Sequence, residues 1–228
     1  MNPQLFGIEH ILYIIISTVL ASAVLLSAKR FAKTEGSQRV FLKALAVLLF
    51  AAILTNRLSQ VFRYEDVRWY AIIPDSFCGM TSLVLSLAVL FGKRDNCVLH
   101  FVWILGLFGG ISTVIYASFI GQGPSVFYLP TISGLVHHSF SATLVIALLM
   151  FRQIDITYKK WYCTLFGFTC YLTVGAFLMQ AFDLSDAFHI AEPLLPGTPL
   201  TAWVMAPMYA AAYALLLFII EIIKKKRS

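Results

Sequence analysis

The sequence has little charge. Only 12% of its 228 residues are Asp, Glu, Lys or Arg, against 60% hydrophobic, about half the charged share with which a soluble domain covers its surface. That shortage excludes a cytosolic enzyme and a secreted module. Cysteine is sparse too: Cys78, Cys97, Cys163 and Cys170 form no CxxC pair and show no metal-ligand spacing, so neither a zinc site nor a disulfide framework is expected. The one adjacent histidine pair, His137 and His138, is expected to point to different sides of a helix, because neighbouring residues differ by ~100° in angle. No low-complexity tract, internal repeat or stretch long enough for a soluble domain interrupts the chain. Acidic residues number 11 against 17 basic, for a net charge of +6. The basic residues lie in short loops, so their meaning is topological, and nucleic acid is not an expected partner. No metal or cofactor is expected.

What the sequence has instead is a series of apolar runs near the ~20 residues that cross a bilayer. Seven are expected as spans: 8–28, 40–62, 70–91, 98–120, 129–151, 161–182 and 201–223. The first lacks a basic lead-in and a small-residue cleavage pattern, and reads as a retained helix rather than a signal peptide. Of the 17 Lys and Arg, all but Arg57, Arg63 and Arg68 fall on one side of the expected membrane. The positive-inside rule then puts the C-terminus in the cytoplasm and the N-terminus outside, a parity that requires an odd number of spans. The expected fold class is all-α: a polytopic, seven-transmembrane-helix bundle forming a single domain over 1–228.

Polar side chains inside spans cost ~2.5–3.5 kcal/mol each at the bilayer centre and so mark candidate sites. Here they gather toward the extracytoplasmic side: Glu9 and His10; Asn56, Arg57 and Gln60; Asp75 and Cys78; His137 and His138; Gln180 and Asp183; and His189 and Glu192 in the loop beyond. The inner half offers His100 and Glu221. At ~1.5 Å of rise per residue, Cys78 lies ~9 Å and His138 ~12–13 Å below the outer edge, so the two can meet at one level. A thiol beside an imidazole is the minimum apparatus of nucleophilic catalysis, since the imidazole takes the proton and leaves a thiolate. A lone buried cysteine also serves as a small packing residue, and a histidine near a membrane face also bonds a helix end or water. If Pro74 opens the helix, Cys78 sits just past its first turn, where the positive end of the dipole favours thiolate. Arg57 has three readings: it snorkels to the interface, pairs with Asp75, Glu9 or Asp183, or binds a lipid phosphate.

Gly106, Gly109 and Gly110, like the small residues of 206–214, permit close helix packing. The loop 193–199, with Pro196 and Gly197, is expected to be a rigid turn over the mouth of the bundle. Trp69, Tyr70, Tyr128 and Trp203 suit an outer aromatic belt, and Trp161 with Tyr162 an inner one.

Four segments carry a family resemblance: Phe6-Gly7-Ile8-Glu9-His10; Ile73-Pro74-Asp75-Ser76-Phe77-Cys78; Trp103 through Gly110; and Val136-His137-His138. In order, they resemble the YwaF-like integral membrane proteins of bacteria, which look related to the animal transmembrane protein 164, a phospholipid acyltransferase. More distantly they resemble the androgen-induced membrane lipid hydrolases, which use a Thr nucleophile. The resemblance implies a Cys nucleophile at Cys78 and a His base on a later helix. His138 is preferred over His137 because a small residue, Ser139, follows it. The sequence departs from the pattern at Ile73, Asp75 and Ser76, and the Asn-Tyr motif before the last span is missing. These departures bear on the substrate more than on the fold.

The resulting expectation is a lipid acyltransferase or acyl hydrolase, with Cys78 and His138 in a pocket that opens outward. His137, Asp75, Arg57, Asn56, Glu9, His10 and Gln180 are its supporting or substrate-binding residues. Its partner is a membrane phospholipid or fatty-acyl lipid and its location a bacterial plasma membrane. The competing reading is a small-solute transporter or ligand-binding membrane protein, with Glu9, Arg57, Asp75 and His138 along a polar path. A receptor or scaffold rests on span count alone.

Overall fold

A computed structural model describes residues 6–63, 67–117, 123 and 125–227. The opening residues 1–4 and the end of the fourth expected span, 118–120, lie outside the described residues. Among the described residues the fold is all-α, with seven α-helices: α1 (Ile8–Phe31), α2 (Glu35–Val61), α3 (Phe77–Phe91), α4 (Cys97–Ile115), α5 (Leu129–Met150), α6 (Tyr162–Phe182) and α7 (Ala202–Arg227). Six are long and apolar enough to cross a membrane, and the protein is an integral membrane protein.

The exception is α3. Expected as a span over 70–91, it is helical for only 15 residues, about 22 Å of rise against a hydrocarbon core of about 30 Å. The reason is local. Pro74 drives Ile73 into extended backbone (φ −85°, ψ 125°) because its ring crowds the preceding residue. Ser76 then caps the helix, its hydroxyl accepting from Gly79 N–H at 3.3 Å. Ahead of this segment, Trp69–Ile72 forms one 3-10 turn. Side-chain caps start other helices as well. Thr34 and Ser37 form a reciprocal capping box on α2, and Asn96 accepts from Leu99 N–H at 3.0 Å on α4. Each satisfies a donor that the first turn leaves without a partner.

Helices α2 to α5 form the centre, with α2 and α4 both packed against α3 and α5. Leu49, Leu85 and Leu144 are fully buried there. Lipid tails are as apolar as Leu, so this core is stabilised by close packing more than by exclusion of water. Helices α4 and α5 approach closely: a Cβ on Gly110 would meet the carbonyl oxygen of His138 at 2.7 Å and Ala142 Cβ at 3.0 Å. Helix α1 lies outside, against α5, and buries only His10 and Ala28; α6 packs on α4, and α7 on α6.

Two features of the basic end differ from the sequence reading or extend it. Cys97 and Cys163, expected as unpaired thiols, form a disulfide between the first turns of α4 and α6, with Cα atoms 5.3 Å apart. A separation of 66 residues leaves no local signal for such a pairing; only the side-by-side start of the two helices creates it. Next to it, Asp95 is a hub. Its carboxylate accepts from Asp155 N–H at 2.8 Å and bonds His100 Nε2 at 2.7 Å and the Lys160 ammonium. Burial by itself pushes the Asp95 carboxyl up, but Lys160, Asp155 N–H and His100 outweigh it and hold the group below the usual carboxylate range.

Candidate functional site

The segment that stops α3 short also positions its first polar groups. Cys78 is the second residue of α3, so it stands in the first turn, slightly earlier than the sequence suggests. Its thiol is within hydrogen-bonding reach of the Thr113 side chain on α4. It also lies 3.2 Å from where a Cβ of Gly109 would be. Helix α4 therefore passes the sulfur with bare backbone, and space remains beside it. That space is a cleft of about 460 Å³ between α3, α4 and α7, which Cys78 lines with Phe77, Ile104, Phe108, Gly109 and Leu216 among others.

His138 reaches the same point from α5. Its buried ring lies near the Gly109 backbone. Cys78 and His138 thus converge on one residue of α4 from two neighbouring helices. Among the described residues no direct hydrogen bond joins the thiol to the imidazole. A neutral imidazole carries its proton on one ring nitrogen and a lone pair on the other.

His137 does not turn away from its neighbour as expected. The two rings lie 4.2 Å apart, tilted by 31°, because rotation about the side-chain bonds offsets the angle between the Cα–Cβ vectors. Its Nδ1 is 3.1 Å from Ser82 Oγ, one turn beyond Cys78 on α3. Among the described residues, no three His, Cys, Asp or Glu side chains are arranged to hold a metal ion.

The supporting residues divide. Arg57 pairs with Asp75 at 3.2 Å and donates to Asn56 Oδ1 at 3.3 and 3.0 Å. Of the three readings of Arg57, the structure supplies the ion pair, which ties the segment entering α3 to α2. Asn56 in turn donates to Pro130 O and Ser133 Oγ at the start of α5. Glu9 and His10 join other elements. Glu9 accepts from Val126 N–H at 2.9 Å and from Ser125 Oγ at 3.3 Å. His10 Nδ1 accepts from Phe6 N–H at 3.2 Å, so Nε2 carries the proton and donates to Val114 O at 2.9 Å. Both are clamps on α1, away from the cleft. Gln180 is exposed on α6 and does not line it.

Sequence reasoning missed Thr113, Ser82 and three tyrosines. Tyr171 faces Thr81 at 3.3 Å, while Tyr209 and Tyr213 line the cleft from α7. A pattern of polar residues two turns or less from Cys78 or His138 would have found Ser82; nothing in the order of the chain brings α6 or α7 to α3. The expected turn 193–199 is closed by Leu194 N–H to Leu200 O at 2.9 Å, and a further contact, over α3, lies earlier in the same loop. Phe188 N–H donates to Asp75 O at 2.7 Å, and its buried ring packs on Phe77 and Tyr171, both at 5.5 Å. Phe188 and His189 adopt left-handed backbone, φ 55° and 57°, a conformation that packing must hold in place.

No curated protein and no solved structure matches the chain significantly. Residues 5–223, nearly the whole chain, match the TMEM164 family; the match bears out the resemblance to transmembrane protein 164 and does not extend to the YwaF-like name. On that match over nearly its whole length, the chain belongs to the TMEM164 family.

Proposed function

We propose that this protein is a lipid acyltransferase of the membrane, with Cys78 as nucleophile and His138 as base, acting on a phospholipid or other fatty-acyl lipid. The observation that carries the reading is that Cys78 and His138 both lie against Gly109, where Cys78 and Gly109 line an apolar cleft and His138 is buried behind it. Members of the TMEM164 family are described as membrane acyltransferases, and this reading extends that activity to the present chain.

In the proposed cycle His138 takes the thiol proton on its free ring nitrogen. The sulfur attacks the ester carbonyl, the ester C–O bond breaks, and His138 returns the proton to the leaving lysolipid oxygen. The thioester is then attacked by the hydroxyl of a second lipid, giving transfer, or by water, giving hydrolysis. His138 accepts the incoming proton and restores the thiol. The α3 N-terminus supports negative charge on sulfur. His137, held on Ser82, buttresses the His138 ring; Arg57 and Asp75 fix the entrance to α3. Among the described groups a transporter would use, Glu9 is committed to the loop before α5 and Arg57 to Asp75, which disfavours a polar path.

The topology goes with this reading. We read the extended lead-in 73–76 as completing a short third crossing, and the positive-inside rule then supports a Lys- and Arg-rich end in the cytoplasm and a Cys78 cleft in the extracytoplasmic leaflet of a bacterial plasma membrane. The test is lipid turnover by purified Cys78→Ala and His138→Ala variants, with mass spectrometry of the wild type for a fatty-acyl adduct on Cys78. Loss of turnover and of the adduct is expected; full activity in both variants ends the proposal.

A further inference from the structure

Of the polar groups in the cleft, one has nothing to bond. The hydroxyl of Tyr209 is buried and has no hydrogen-bond partner among the described residues, although Tyr209 lines the cleft together with Cys78 and Gly109. Its neighbours are satisfied. Tyr213, one turn further along α7, accepts from Trp103 Nε1 and donates to His100 O, both at 3.0 Å. Tyr171 faces Thr81. A buried hydroxyl without a partner is costly, so in native folds it marks a place where something else supplies the acceptor. The ring cannot easily swing to find one, being set edge-on to Phe168 at 5.1 Å and stacked on Tyr213 at 6.1 Å.

We propose that Tyr209 is a further catalytic residue of the Cys78 site, its hydroxyl donating to the carbonyl oxygen of the acyl group under attack. The inference rests on the reading of Cys78 as nucleophile. The missing group must carry a hydrogen-bond acceptor and fit a cleft walled by Ile104, Leu105, Phe108 and Leu216; the ester carbonyl of a long-chain acyl lipid has both properties. As sulfur adds to the carbonyl carbon, the C=O electron pair moves onto oxygen, and the Tyr209 O–H stabilises that charge. The carbonyl re-forms when the ester C–O bond breaks, and Tyr209 keeps its proton throughout.

The experiment compares two reactions of Cys78 in wild type and Tyr209→Phe, both read at the Cys78 peptide by mass spectrometry. Acylation by p-nitrophenyl palmitate passes through an oxyanion; alkylation by iodoacetamide does not. The expected result is acylation slowed roughly 100-fold, the usual loss for one oxyanion donor, with alkylation unchanged. Equal acylation in both proteins overturns the role of Tyr209 and leaves Cys78 standing. An equal fall in both reactions also overturns it, since lost packing slows any attack on the thiol. A wild type that is alkylated but never acylated overturns the nucleophile itself, and this inference with it.

Discussion

The sulfur of Cys78 lies 3.2 Å from the point where Gly109 would carry a Cβ. The backbone of the same residue lies near the imidazole of His138. The bare backbone of this glycine leaves room beside the thiol, and the next residue, Gly110, lets α4 pass close to the backbone of α5.

Substitutions at Gly109 and Gly110 separate these effects. Gly110→Ala pushes a methyl into the backbone of α5 at His138 and Ala142, and its melting temperature in detergent is expected to fall by the equivalent of about 1–3 kcal/mol. Gly109→Ala meets only the Cys78 sulfur. Its stability should change little, while iodoacetamide labelling of Cys78 slows. Equal loss of stability in the two variants would contradict this division. Labelling must be read peptide by peptide, because Cys170 is also a free thiol and is exposed.

Arg57 should matter more to stability than its partner. The Asp75 side chain is 52% exposed, against 14% for Arg57, so solvent screens the charge interaction. Asp75→Asn is expected to cost less than about 1 kcal/mol. Arg57→Ala also removes two hydrogen bonds to Asn56, and about 1–2 kcal/mol is expected. Denaturation of both variants and the double mutant checks the order.

Asp95 predicts an acid limit. Its carboxyl is held below the ordinary range in the fold, so the unfolded chain binds the proton first as pH falls. The stabilisation is therefore complete above the unfolded value of about 3.9 and drains away below it, through the lower folded value. Melting temperatures of wild type and Asp95→Asn across pH should differ by a constant amount above that point and converge beneath it. A gap that widens in acid would reverse the sign and sink the argument.

The bridge between Cys97 and Cys163 should be visible to a reductant. Cys97→Ala with Cys163→Ala is expected to lose about 2–4 kcal/mol, and wild type treated with dithiothreitol should melt near the double variant. A reductant that leaves the wild-type melting temperature unchanged would show that the bridge contributes no stability.

Much of this was legible in the order of residues. Six of the seven expected spans are long apolar helices, because a run of about 20 apolar residues has one economical conformation in hydrocarbon, with every backbone group bonded internally. Pro74 foretold the break before Cys78, since a proline acts on its immediate neighbours; the Ser76 cap became visible only in the fold. The third span nevertheless came out shorter than its apolar run: hydropathy measures composition and is blind to where a cap begins the helix. The proximity of Cys78 and His138 could be set in depth, by counting rise along two helices, but not in azimuth.

Sequence by itself determined the solvent of this protein and the depth of its polar groups, because both follow from composition and from the fixed rise of a helix. Only the tertiary structure decided partners: Arg57 with Asp75, Cys97 with Cys163, His137 with Ser82, and the Tyr209 hydroxyl with none among the described residues. The reason is physical. A helix fixes the height of each side chain through its own hydrogen bonds, whereas the direction in which it meets a neighbour depends on how closely two helices approach, as where Gly110 lets α4 pass against the backbone of α5.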